Sequence, residues 1–139
     1  MPTHAAVLDS IGGTVGTGWT WSEVAYDNVE PLDYTDVARP ELSKGTSPYI
    51  GVKVIFADSY AAETGPNAIK RTWGYIETKF YTPKEQGARI NAVNMGNMST
   101  LFEYQVIDDI VFKELSVMTP YTEDGWYVTP TMLRFYFNR

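Results

Sequence analysis

Alternating apolar and polar positions mark two long segments in the middle of the chain. The first, Tyr49–Ala57, places Lys53 on one face and four apolar side chains on the other: Ile50, Val52, Val54 and Phe56. The second, Ile69–Tyr81, carries mixed residues on both faces, as a strand does when it lies against something on each side. These patterns predict two strands that form a large hairpin, joined by a polar connection over residues 58–68.

The last third of the chain predicts one helix and two further strands. The helix is expected over Pro83–Val106, because Thr82 can serve as its N-cap and the apolar residues that follow recur near helical spacing. Two strand-like segments follow, Asp109–Met118 and Gly125–Phe137, with a turn over Pro120–Asp124 between them. The final segment is so aromatic that it must pair inside a sheet or lie under a partner.

The N-terminal third predicts shorter elements. A short helix is expected over residues 3–11, capped by Thr3 and ended by Gly12 and Gly13. Residues 12–18 are then a flexible glycine-rich connector, and a short strand follows at Glu23–Asp27. Proline, glycine, asparagine and aspartate punctuate residues 28–48, which predicts a long loop of the kind that carries function or orders against a partner.

The predicted elements and short connections indicate the α+β class. We expect a single domain over residues 1–139, built on an antiparallel sheet of about four to five strands. One main helix and one short helix are expected to pack on one face of that sheet.

Composition and charge exclude several classes of function. The formal net charge is −6 and no basic stripe is present, which argues against binding of a phosphate backbone as the main activity. The chain has no cysteine, which excludes disulfides and sulfur-based zinc sites and fits a reducing cytosol. No signal peptide and no apolar segment of membrane-spanning length is visible, so we expect a soluble, cytosolic protein without membrane contact.

The residue types that could carry chemistry are few. His4 is the only histidine and lies at the chain end, where fraying is common. The glycines of residues 12–18 lack the flanking strand, helix and Gly-Lys-Ser/Thr ending of a phosphate loop. The acid pairs Asp108-Asp109 and Glu123-Asp124 lie at predicted turns, where aspartate is common. We therefore assign no catalytic residue, no metal ligand and no cofactor.

Tryptophans raise a second question, because each could serve the core or a contact with a partner. Trp19 and Trp21 precede the first predicted strand, and the core is the preferred interpretation for them. The same choice stays open for Trp126 and Tyr127.

The order of these elements resembles that of the bacteriophage tail terminator family. The likeness covers roughly residues 19–137. It rests on Val24–Val29 after a tryptophan, the strand opening Pro48–Val52, the strand Gly74–Tyr81, the helix opened by Pro83 and Gly87, and the ending Gly125–Val128 with Phe135. One departure is that family members usually begin with a longer amphipathic helix, whereas the expected first helix here is short and interrupted by glycines.

The resemblance implies a structural virion protein and not an enzyme. Such a protein forms a hexameric ring on the end of the tail tube, stops tube polymerisation and joins the tail to the head and neck. The implied partners are other copies of the chain, the tail tube protein and head–tail connector proteins, with DNA only passing through the lumen. The implied location is the tail or neck of the virion, assembled in the host cytoplasm.

A ring of this kind needs contact residues, which we expect in the long loops and exposed strands. The candidate residues for a subunit or tube interface are Tyr34, Arg39, Tyr60, Glu63, Arg71, Trp73, Trp126 and Tyr127. Two alternatives stay open. One is another neck protein, such as a head-completion adaptor or a minor tail protein; the other is a small hydrolase that uses Asp109, Asp124 or Glu77.

Overall fold

The computed structural model describes residues 2–26, 47–61, 68–86, 88–123 and 125–139. The described residues include the α-helices α1 (His4–Gly18) and α2 (Arg89–Phe102), and a 3₁₀ turn lies at Lys84–Gln86. The strands are β1 (Glu23–Tyr26), β2 (Tyr49–Ala61), β3 (Lys70–Pro83), β4 (Val106–Ile107), β5 (Ile110–Val117), β6 (Tyr121–Glu123) and β7 (Trp126–Asn138).

The described strands form one curled sheet of mixed direction, in the order β1-β2-β3-β7-β5-β4, with β6 paired to one end of β7. Strand β1 runs parallel to β2, and the other pairs are antiparallel. The prediction of an antiparallel sheet with four to five strands is therefore wrong. The strand count was too low because β4 and β6 are too short to show any alternation in sequence. The parallel β1–β2 pair requires a long connection, and residues 27–48 are long enough to provide it.

The long strands themselves are predicted well. The β2–β3 hairpin is confirmed, with Ile50 opposite Phe80 and Val54 opposite Ile76. Strand β2 continues to Ala61, into the stretch expected to be a connection. The aromatic C-terminal strand β7 lies between β3 and β5 in the middle of the sheet, so it pairs on both sides. Each of these strands has enough residues for its period-two pattern to be visible.

The main core lies between the two helices and one face of the sheet, which we call the inner face. Helix α1 contributes Val7, Ile11 and Val15, and α2 contributes Met98 and Phe102. The strands contribute side chains that are almost fully buried: Ile50, Val52, Ile76, Phe80, Ile110, Phe112, Leu133, Phe135 and Phe137. Burial of this apolar surface is the main term that holds the helices on the sheet.

Helix α1 has 15 residues where nine were expected, and it contains the supposed connector. Residues 12–18 are helical, although glycine is a poor helix former, because Val7, Ile11 and Val15 recur every fourth residue and are completely buried or nearly so. Packing against the sheet outweighs the intrinsic cost of the glycines. The predicted cap is confirmed, since Thr3 Oγ1 accepts a hydrogen bond from the Ala6 amide at 3.1 Å.

Helix α2 begins later and ends earlier than expected. Pro83 is the last residue of β3 and pairs with Trp126, so it cannot open a helix. Thr82 does not cap the helix; its hydroxyl donates a hydrogen bond to Asn91 Oδ1. The predicted end, Val106, lies in β4. Backbone pairing with β7 extends β3 through Thr82 and Pro83, the two residues whose types indicate the start of a helix.

A buried polar network attaches α2 to the sheet. Asn91 Nδ2 donates to the Thr129 hydroxyl and to the Tyr127 carbonyl, at 3.2 Å in each case, while its Oδ1 accepts from Thr82. Because an amide can make several bonds at once, this one side chain satisfies groups on both β3 and β7.

Candidate functional site

The face of the sheet that points away from the helices, here called the outer face, carries an unusual set of side chains. Most inner-face positions on β3 and β7 are buried, and the outer-face residues between them are half-buried or exposed over 71–81 of β3 and 132–138 of β7. Near one end of the sheet these residues form a group that we call the outer-face cluster: Arg71, Trp73, Lys113, Arg134 and Tyr136. Strand register determines this grouping, because Trp73 lies opposite Tyr136 and Val111 pairs with the same tyrosine from the other side.

Cations and aromatic rings alternate through the outer-face cluster. The Arg71 guanidinium carbon lies 4.4 Å from the centre of the Tyr136 ring, and the Arg134 carbon lies 4.5 Å from the centre of the Trp73 ring. The Lys113 ammonium nitrogen is 5.7 Å from the Tyr136 ring centre. The two rings are themselves 4.8 Å apart. Stacking of this kind is worth about 0.5–1 kcal/mol for each exposed cation–π pair.

The positive charges of the cluster have no carboxylate partner in the described parts of the chain. Arg71 donates a hydrogen bond from Nε to Asn138 Oδ1 at 3.0 Å, which is a neutral acceptor. The ion pair found among the described residues joins Lys79 and Glu77, at 3.8 Å, further along β3. A chain of net charge −6 therefore presents three cations on an aromatic surface, with no ion-pair partner among the described residues. Tryptophan, tyrosine and arginine are the residues most enriched at the energetic centres of protein interfaces.

The other end of the outer face is closed by a second, small core. Trp126 is only 3% exposed and packs with Tyr49, whose ring it meets edge-on at 5.1 Å. Tyr49 stacks flat on Tyr81 at 4.3 Å. Beside this small core lies a cavity of about 180 Å³, lined in part by Lys53, Glu77 and Lys79. Among the described lining residues one carboxylate lies between two amines, and this set does not supply the acid and base pair that hydrolysis by two carboxylates requires.

The candidate interface residues fall into four groups. Arg71 and Trp73 lie together in the outer-face cluster. Trp126 belongs to the small core, and half-buried Tyr127 offers its carbonyl to Asn91. The backbone of Tyr60, on β2, pairs with that of Arg71, on β3. Outside the described residues lie Tyr34, Arg39 and Glu63.

Three members of the cluster were not predicted, namely Lys113, Arg134 and Tyr136. The signal was present in β7, where Arg134 and Tyr136 alternate with the buried Leu133, Phe135 and Phe137. Only the pairing of β7 with both β3 and β5 brings these residues to Arg71 and Trp73.

The carboxylates proposed for a hydrolase lie on separate parts of the sheet. Glu77 lies in the row of Met132 and Ser116, whereas Asp109 directly precedes the other end of β5. Seven residues of strand separate Asp109 from Ser116, which is roughly 20 Å at about 3.3 Å per residue. Asp124 lies outside the described residues. Within the part of the chain that the structure describes, no three acidic or histidine side chains converge as metal ligands.

The remaining sequence candidates have ordinary structural environments. The His4 ring packs edge-on against Phe56 and Phe137, at 4.6 and 5.5 Å between ring centres. Trp19 is buried and donates from Nε1 to the Ser22 hydroxyl at 3.0 Å, so the core interpretation is confirmed for it. Trp21 is about half exposed and lies edge-on against Trp19.

Comparison with known proteins defines the fold and leaves the function to be inferred. No protein-family model matches the chain, and no curated protein does. A solved structure whose title describes no function is similar to it, with a TM-score of 0.62 and 17% sequence identity over 95% of each chain. At that identity the likeness concerns the fold alone. None of the described helices is long and apolar enough to cross a membrane.

Proposed function

We propose that this protein is a bacteriophage tail terminator, a structural protein that assembles as a hexameric ring on the end of the tail tube. In this role it stops tube polymerisation and joins the tail to the head and neck. The proposal rests on the resemblance of the chain over residues 19–137 to that family, and it requires contact surfaces in place of a catalytic centre.

The observation that carries the proposal is the outer-face cluster. A ring requires that each copy present strong contact residues to a neighbour, and the cluster joins half-buried Trp73, Tyr136 and Arg71 with exposed Arg134 on the outer face of the sheet. Helix α1 adds further support. The resemblance implies a longer first helix, and α1 has 15 residues in place of the short helix expected from its glycines.

The test is assembly of the tail tube protein with and without the purified chain. Tube lengths and tube ends are measured by negative-stain electron microscopy. A terminator is expected to stop elongation when added during assembly and to appear as a ring at the tube end. An unrelated acidic protein of similar size serves as the control.

The same preparation separates the proposal from its closest alternative. A head-completion adaptor would bind the portal side of the connector and leave tube length unchanged. Tubes that keep growing and carry no added density at their ends would contradict the terminator role.

A further inference from the structure

The ring proposed above needs two different contact surfaces on each copy, and the described residues offer a second surface besides the outer-face cluster. Residues Val117–Glu123, which connect β5 to β7 and include β6, are exposed throughout. Val117 is 57% exposed, Met118 49% and Tyr121 38%. We call these residues the apolar segment. Val117 lies opposite inner-face Thr131, whereas Tyr121 lies opposite outer-face Val128, so the exposed apolar side chains extend around this edge of the sheet. Several large apolar side chains exposed in one short segment indicate a surface that a partner can cover.

The two surfaces are complementary in chemistry. The outer-face cluster offers aromatic rings and three cations that lack carboxylate partners among the described residues. The apolar segment offers valine, methionine and tyrosine side chains and ends at Glu123, which Asp124 follows in the sequence. Aromatic and apolar groups can pack against one another, while a carboxylate can pair with an arginine at the edge of the contact.

Their positions on the sheet determine the kind of contact they can make. Tyr136 lies near one end of β7, whereas Val128 near the other end pairs with Tyr121 of the apolar segment. Eight residues of extended chain separate Tyr136 from Val128, which is roughly 25 Å at about 3.3 Å per residue. One copy cannot join its own two surfaces over that distance, but the second surface of a neighbour can reach the first. In the proposed ring each surface of a copy meets the other surface of a different neighbour, which is a heterologous contact that closes when the rotation between copies closes.

The turn between β4 and β5 is an acidic surface separate from the apolar segment. Asp108 and Asp109 lie in the turn between β4 and β5, beside the highly exposed Val106. This turn is close to the outer-face cluster, because Val111, two residues beyond Asp109, pairs with Tyr136. Two adjacent complementary patches favour a closed two-fold dimer, in which each copy contributes both patches to one contact.

From these positions we infer that neighbouring copies join head to tail, with the outer-face cluster of one copy seated on the apolar segment of the next. The inference rests on the proposed ring and names its contact. The partner is a second copy of this chain.

Two substitutions test the contact by removing one surface each. Arg134→Asp removes an exposed cation of the cluster and adds a repelling charge, while Met118→Asp adds a charge to the apolar segment. Each variant alone is expected to lose the ring, so that its mass falls to that of a monomer. Mixed in equal amounts they are expected to form dimers and nothing larger, because each pair has one intact contact. Light scattering over a range of concentrations measures the mass of these species, and tail tubes are added if the wild-type chain assembles only on them.

Matched variants control for charge and folding. Val93→Asp places the same charge on an exposed apolar position of α2, and Asp109→Arg reverses a charge in the β4–β5 turn. Both are expected to keep the ring. Circular dichroism and thermal melting should show that all four variants are folded.

Each other outcome has a definite meaning. Rings that persist in both Arg134→Asp and Met118→Asp, or a mixture that stays monomeric, would overturn the head-to-tail contact. Loss of assembly in Asp109→Arg alone would assign the contact to the turn. Rings that persist while Arg134→Asp abolishes binding of a single-stranded oligonucleotide would assign the cluster to nucleic acid.

The inference and the proposed function can fail separately. If the wild-type chain and both variants form rings that cap tubes, the inference alone is overturned. If the wild-type chain forms rings that never bind tubes, and each substitution abolishes those rings, the contact stands and the tail role is overturned. A wild-type chain that stays monomeric with and without tubes would overturn both.

Discussion

Gly74 offers a sharp test of how closely the sheet and its core are packed. It lies in the middle of β3, opposite Phe56 on β2 and Phe135 on β7. A Cβ atom added at this position would lie 2.7 Å from the Ile55 carbonyl oxygen and 2.9 Å from Cε2 of Phe135, and would overlap Cζ of the same ring. Side chains do not approach backbone oxygens this closely, so Gly74→Ala requires the structure to move.

The magnitude follows from what would have to move. Phe135 is completely buried, and its ring meets those of Phe56 and Phe112 at 6.2 and 5.9 Å, so it has little room to rotate. The Ile55 oxygen belongs to the β2 backbone. Overpacking of a core costs about 1–3 kcal/mol, while the lower entropy of the unfolded alanine chain returns about 0.4–1 kcal/mol. We expect Gly74→Ala to lower the free energy of unfolding by about 2 kcal/mol, or roughly 8 °C in Tm.

Gly96→Ala is the matched control. Gly96 is exposed in α2, and a Cβ atom there would meet nothing within 4 Å. Alanine is the better helix former, so the free energy of unfolding should rise by about 0.5–1 kcal/mol. Urea unfolding followed by circular dichroism measures both variants. A Gly74→Ala variant as stable as the wild type would refute the packing described for β3 and Phe135.

Three further predictions concern stability. Asn91→Ala should lower the free energy of unfolding by about 2 kcal/mol, because it leaves buried hydrogen-bond partners on β3 and β7 unsatisfied. The control Asn97→Ala should change that free energy by no more than about 0.5 kcal/mol, and comparable urea midpoints for the two variants would contradict the network. Burial raises the pKa of Tyr26 above its ordinary value of 10.0, so the unfolded chain releases this proton first and stability is lost as pH rises above 10.0. Tyr26→Phe should reduce that loss, measured as urea midpoints across this alkaline range, and an unchanged pH profile would contradict it. Gly125→Ala should cost about 1 kcal/mol because the φ of 85° is strained for alanine, and a thermal melt unchanged from wild type would exclude that strain.

Local signals and tertiary packing competed at two places in the chain, and packing prevailed at both. The glycines after Ile11 indicate the end of a helix, yet α1 continues because Val15 is buried against the sheet. Thr82 and Pro83 indicate the start of a helix, yet both pair with β7 as the last residues of β3. In each case burial of apolar surface or a continuous ladder of hydrogen bonds outweighs a propensity worth about 1 kcal/mol per residue.

The candidate site divides in a similar way. Arg71 and Trp73 could be selected from sequence because they are a charged and an aromatic residue on the same face of a long predicted strand. Lys113, Arg134 and Tyr136 could not be joined to them, because they lie on β5 and β7 and only the strand order places those strands beside β3. Trp126 looks the same as Trp73 in sequence, but the small core around Tyr49 buries it.

The sequence by itself determined the long strands, the β2–β3 hairpin and the stretch of chain that forms the aromatic strand β7, because period-two alternation over many residues is a local property that pairing does not change. Only the tertiary structure decided the mixed direction of the sheet, the full length of α1 and the gathering of three cations on two aromatic rings. These features depend on contacts between residues far apart in the chain, whose partners no local pattern specifies.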